Sequence, residues 1–132
     1  MAIEIQSMIP LLQVFDMPTS IAFYRDTLGF QIVNTSTPTD YFWALLRLNT
    51  IELMLNTAYE DGERPLIPDH ARVAAHHDTV LYFNAKDVEA IYAQLRANGV
   101  DTKPPVTQPY GMKQIYVSDP DGYAICFQSS VR

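Results

Sequence analysis

Two stretches of this chain follow one plan. "IPLLQVFDMPTSIAFYRDTLGFQ" and "TVLYFNAKDVEAIYAQLRANGV" each read as a β-rich run, an aspartate able to cap a helix, an amphipathic segment and a closing glycine. The aspartates Asp16 and Asp87 lie 71 residues apart, and the glycines Gly29 and Gly99 lie 70 apart. A duplicated module accounts for both spacings. Thr19 is a second candidate cap for the first helix.

In the first copy Ile21, Tyr24 and Leu28 share a helical stripe, and "FQIVNTS", "YFWALLRL" and "IELMLN" follow as strands rich in β-branched and aromatic residues. In the second copy Val88, Ile91, Tyr92 and Leu95 form the stripe, with strands expected around "TKPPV", "KQIYVS" and "YAICFQ". The chain therefore reads as α+β, with two βαβββ modules in tandem in a single domain over 1–132. Module 1 is expected over about 5–56 and module 2 over about 79–130. The segment between them, "TAYEDGERPLIPDHARVAAHHD", is polar, contains proline and is long for a structureless connection. It reads as a linker or a flap, and it is the best candidate for a lid.

Composition narrows the partners. An apolar fraction of 48% and a charged fraction of 18% suit a soluble domain, and no apolar run approaches the ~20 residues of a membrane span. "MAIEIQSMIP" has no basic stretch ahead of an apolar block, so no signal peptide is expected. One cysteine, Cys126, leaves no internal disulfide and agrees with the cytoplasm. A formal charge of −6 speaks against nucleic acid and anionic membrane, and for neutral or cationic ligands.

Strand alternation sorts core from wall. With Asn49 and Thr50 as a two-residue hairpin loop, Leu48 stands opposite Ile51 and Arg47 opposite Glu52. Phe42, Ala44, Leu46 and Leu48 then join Ile51, Leu53 and Leu55 on an apolar face. Tyr41, Trp43, Leu45 and Arg47 join Glu52, Met54 and Asn56 on a mixed face, the candidate cavity wall. In the second module Leu81, Phe83, Ile125 and Phe127 are expected in the core, with Val80, Tyr82, Ala124 and Cys126 on the wall. Tyr41, Trp43, Glu52, Met54, Tyr82 and Tyr116 are the candidate ligand-binding residues, with Tyr59 and Tyr110 nearby. Aromatic rings and methionine with a few polar groups suit an elongated or planar organic ligand. Glu52 reads first as the ion-pair partner of Arg47, and ligand recognition is its alternative role.

In "YVSDPDGYAICFQ", Asp119, Pro120, Asp121 and Gly122 supply ordinary turn chemistry. Cys126 reads as an inert small residue, since no histidine accompanies it in its hairpin. His76 and His77 would point to opposite faces of a strand and lack the i, i+4 partner of a helical metal site. Together with His70 they read as solvated. No GxSxG, P-loop, GxGxxG or CxxC is present, and no catalytic residue is assigned.

These residues carry a resemblance. The "FYRDTLGF" helix end, the restart at "VLYFNAKDV" and the "DPDG" hairpin are similar to the vicinal-oxygen-chelate superfamily, which includes glyoxalase I, the bleomycin-resistance proteins and extradiol dioxygenases. The resemblance implies paired βαβββ modules whose sheets curl round a ligand cavity, in a homodimer. Its metal-dependent members place four ligands at positions that fall here on Ile9, Glu52, Val80 and Cys126, of which only Glu52 keeps a ligand type. No metal and no other cofactor is therefore expected. The resemblance implies, in its bleomycin-resistance branch, a metal-independent small-molecule-binding protein that sequesters an aromatic or cationic compound. One alternative is a metal-dependent lyase, isomerase or dioxygenase with an atypical site; another is a catalytically idle interaction module.

Overall fold

A computed structural model describes residues 2–60 and 62–131. The chain divides into two units, Met1–Arg64 and Pro65–Arg132. In the first, β1 (Leu11–Val14) leads into α1 (Met17–Ile21), a π-helical stretch over Ala22–Thr27, and then β2 (Gln31–Thr35), β3 (Trp43–Leu48) and β4 (Ile51–Thr57). The strand order is β1-β4-β3-β2, with β1 parallel to β4 and the other pairs antiparallel. Leu12, Val14, Ala44, Leu46, Leu53 and Leu55 are buried, as are Met17, Ile21 and Tyr24 of the helix. Each large apolar side chain taken out of water here contributes roughly 1.5–3 kcal/mol.

The second unit repeats the plan. After α2 (His70–Ala75) and a 3-10 turn over His76–Asp78 come β5 (Val80–Asn84), α3 (Val88–Ala97), β6 (Val106–Thr107), β7 (Met112–Ser118) and β8 (Ala124–Ser130). Their order is β5-β8-β7-β6, again with one parallel pair, β5 with β8. Asp87 caps α3 as its position predicts, its side chain accepting from Ala90 N at 3.1 Å. Asp16 has the extended backbone of a cap, and its side chain is held by the Thr19 hydroxyl and by Arg64.

The two helices end alike but not identically. Phe30 N donates to Tyr24 O at 2.8 Å, and Val100 N donates to Leu95 O at 2.9 Å. Tyr24 and Leu95 correspond in the two modules, so the first helix holds one more residue before its glycine. Its π-helical stretch, where Leu28 N reaches back to Phe23 O, takes up that residue by widening a turn. This explains why the aspartates are one residue further apart than the glycines.

Several expectations are corrected at element ends. Phe42 and Ile51, expected on the apolar face, are 60% and 45% exposed. Phe42 lies before the first residue of β3, and Ile51 is the first residue of β4, at the hairpin end of the sheet. Leu81 and Phe83 are half-buried instead of fully covered. The strand expected around "TKPPV" lies later, at Val106–Thr107, beyond the two prolines that cannot donate to a ladder. Within 57–78 lie α2 and its 3-10 turn.

Candidate functional site

Cross-strand pairing places the side chains of each sheet in rows. On the face of the second sheet opposite its apolar core, Val80, Ala124 and Ser118 form one row, and Tyr82, Cys126 and Tyr116 the next. Asn84, Gln128 and Gln114 form the third. The face thus passes from small to aromatic to amide side chains along the strands. β8 runs between β5 and β7, so Cys126 has a tyrosine on either side, and the two hydroxyls meet above it at 2.9 Å. The rings stand edge to face, with centroids 6.3 Å apart.

This arrangement sets the chemistry of the row. Cys126 is fully buried although Tyr82 and Tyr116 remain about half exposed. Burial pushes its thiol above the usual range, partly offset by a hydrogen bond from Tyr116. The hydrogen bond to Tyr82, and then burial, hold the Tyr116 hydroxyl protonated well beyond the ordinary phenol range. Two phenol rings over a buried thiol make a polarizable surface. Beside Tyr116, a cleft of about 540 Å³ opens between β7 and the 100–108 segment, lined by Gln114, Thr102 and Lys103 among others.

The first unit has its own face. Trp43 shares a row with Asn56 and Gln13, and Met54 shares one with Leu45 and Leu11. Arg47 and Glu52 are cross-strand partners, as the two-residue loop predicts, and form an ion pair at 2.8 Å. Asn56 Nδ2 donates to Gln13 Oε1 at 3.1 Å. Tyr41 lies ahead of β3 and lines a cleft of about 670 Å³ with Phe15, Ile21 and Tyr59, where Arg64 pairs with Asp16 and lies over the Phe15 ring. Trp43, Met54 and Glu52 stand on the sheet face outside that cleft. Of the six candidate residues, then, Tyr82 meets Tyr116, Trp43 and Met54 occupy neighbouring rows, and Glu52 is engaged by Arg47. The amides Gln13, Asn84, Gln114 and Gln128 were not singled out by the sequence reading.

The acidic turn is structural. Asp119 Oδ1 accepts from Asp121 N at 2.8 Å and Tyr123 N at 2.9 Å, while Gly122 closes the turn with φ +85°. α2 docks on it: Arg72 pairs with buried Asp121 at 2.8 Å, and His76 stacks on Tyr123 at 3.9 Å. His76 Nδ1 also lies 2.7 Å from Asp121 O. The expectation of a solvated His76 is therefore overturned, because the ring is held by stacking and by a backbone carbonyl. His70 and His77 are exposed.

The resemblance places metal ligands at four positions, two in each unit. Ile9 and Val80 have no donor atom, the Cys126 thiol lies under the tyrosine pair, and Glu52 is turned to Arg47. Among the described residues no three or more His, Cys, Asp or Glu side chains gather as a metal site. None of the helices described is long and apolar enough to cross a membrane.

Residues 6–127 match the family model described as Glyoxalase/Bleomycin resistance protein/Dioxygenase superfamily. The chain is 32% identical over 126 residues to a lactoylglutathione lyase of Haemophilus influenzae, covering 89% of this chain and 87% of that protein. Among solved structures it resembles TnmS3, an antibiotic binding protein from Streptomyces sp. CB03234, with a TM-score of 0.72 and 22% identity over 98% of this chain and 99% of that one. It also resembles the bleomycin-binding protein from Streptomyces verticillus complexed with copper(II)-bleomycin, with a TM-score of 0.70 and 20% identity, covering 98% and 99% of the two chains.

Proposed function

Since the chain belongs to the Glyoxalase/Bleomycin resistance protein/Dioxygenase superfamily, we propose that it is a metal-independent small-molecule-binding protein that sequesters an aromatic or cationic compound. It acts in the cytoplasm as a homodimer. The observation that carries this reading is the aromatic row, Tyr82 and Tyr116 hydrogen-bonded over a buried thiol, half exposed on an open sheet face. Such a surface offers ring area and no group poised to take or give a proton at neutral pH. Trp43 and Met54 are assigned to ligand contact in the first unit, with Tyr41 at its cleft. The net charge of −6 supports a neutral or cationic ligand over an anion.

A thermal-shift screen of cationic and aromatic compounds, with and without chelator, tests the proposal. Stabilisation that chelator leaves unchanged is the expected result, with a change in the emission of Trp43, the single tryptophan. Stabilisation or activity lost with chelator overturns metal independence. The relation to a lactoylglutathione lyase favours, as a second reading, an enzyme of that class. Metal bound in stoichiometric amount, together with formation of lactoylglutathione, would establish it. Light scattering that shows a monomer at micromolar concentrations would remove the dimer.

A further inference from the structure

Next to the tyrosine row, two residues further along each strand, stand three amides abreast: Asn84 on β5, Gln128 on β8 and Gln114 on β7. They are linked in sequence. Gln114 Nε2 donates to Gln128 Oε1 at 2.9 Å, and Gln128 Nε2 donates to Asn84 Oδ1 at 3.0 Å. At the far end the Tyr110 hydroxyl donates to Gln114 Oε1 at 3.2 Å, over an amide that is only 4% exposed. The first module has a shorter version in the same row, Asn56 bonded to Gln13.

A carboxamide has two N–H donors and a carbonyl that can accept twice, so exposed Asn84 and half-buried Gln128 keep capacity on the open face while buried Gln114 anchors the ladder. The ladder also has two equivalent senses. If all three amides turn over together, every internal bond is remade in the opposite direction and Gln114 donates to the Tyr110 hydroxyl. In one sense the chain ends at Asn84 in a free NH₂; in the other it ends there in a free C=O. The strip can therefore meet either a donor or an acceptor without breaking an internal bond.

We propose that Asn84, Gln128 and Gln114 determine ligand specificity. They select compounds in which a carbonyl or amide lies about 7 Å, two residues of strand, from the centre of a planar apolar part resting on Tyr82 and Tyr116. This rests on the small-molecule reading above and adds to it a polar requirement. An aromatic hydrocarbon satisfies the tyrosine row but leaves the neighbouring amides to exchange water for nothing.

The test uses three matched probes, biphenyl-4-carboxamide, 4-acetylbiphenyl and 4-isopropylbiphenyl, titrated against the whole protein by ligand-observed NMR. Both carbonyl compounds should bind about fivefold or more tightly than the hydrocarbon, and about equally with each other. Q128L cuts the ladder in the middle and should erase that preference, so that the three probes bind about equally. N84L, at the exposed end, should reduce it in the same way and serves if the first variant does not fold. Equal affinity of all three probes for the unmodified protein, or a preference that survives in the folded variants, overturns the assignment and leaves small-molecule binding standing. Failure of every probe to bind also overturns the assignment, and failure of small-molecule binding itself is read from the thermal-shift screen.

Discussion

Val73 occupies the space that a side chain at residue 122 would need: a Cβ built on Gly122 falls 2.4 Å from the Val73 carbonyl oxygen and 2.8 Å from its Cγ1. The turn between β7 and β8 is thereby fastened to α2, with the Arg72–Asp121 pair and the His76–Tyr123 stack on either side. G122A meets both a left-handed φ and a backbone atom that cannot give way, so it should cost about 2–4 kcal/mol. Urea unfolding measures this. Adding V73A should recover little, because the nearest clash is with the carbonyl.

Removing the guanidinium tests the same contact from the other side. R72A takes away the ion-pair partner of a carboxylate that is 1% exposed, and should destabilise by about 3 kcal/mol. R72A/D121N should recover part of that loss. A loss below about 0.5 kcal/mol in R72A would show that other partners carry Asp121 alone.

The Arg47–Glu52 pair should behave differently. Its side chains are 50% and 26% exposed, so a double-mutant cycle of R47A with E52Q should give a coupling of only about 0.5–1 kcal/mol. The pairing was legible in the sequence because a two-residue loop and a period of two leave one register that buries Leu53 and Leu55. Alternation says which face a residue takes but not where a strand stops, which is why Phe42 and Ile51 were misplaced. α2 was hidden for another reason: "HARVAA" has no apolar stripe, and it is held by an ion pair, a stack and one close backbone contact. The amide ladder needs the knowledge that β8 lies between β5 and β7. No local pattern around Gln114, Gln128 or Asn84 contains that knowledge.

Cys126 should react slowly with iodoacetamide in the folded protein and rapidly in urea, since its thiol is buried and its pKa is raised. Y116A should raise the native rate at least about tenfold by uncovering the sulfur. Because the folded pKa lies above the unfolded one, the unfolded thiol ionises first. The stability linked to Cys126 is full below about pH 8.5 and declines as the pH rises toward the folded value. A C126S variant should lose that alkaline dependence.

Deleting Asp26 should let the first helix end as α3 does, with the π-helical stretch replaced by α-helix, at a small cost in melting temperature. Deleting Arg96 from the last turn of α3, which has no extra residue to release, should cost clearly more. Circular dichroism and thermal unfolding of the two deletions provide the comparison. Equal losses would mean that the π-helical stretch is held by its surroundings and not by the surplus residue.

That widened turn bears on how a doubled chain can change in length. An extra residue in a strand turns every side chain beyond it to the opposite face, and the rows of the sheet are lost. The same residue in a helix loosens one turn, and Tyr24 before it and Phe30 after it both stay buried. The halves can drift in length at their helices while their sheets stay in step. A chimera that exchanges one half's hairpin for the other's therefore has its natural seam just after Tyr24 or Leu95, where a mismatch in residue count is absorbed before it reaches a strand.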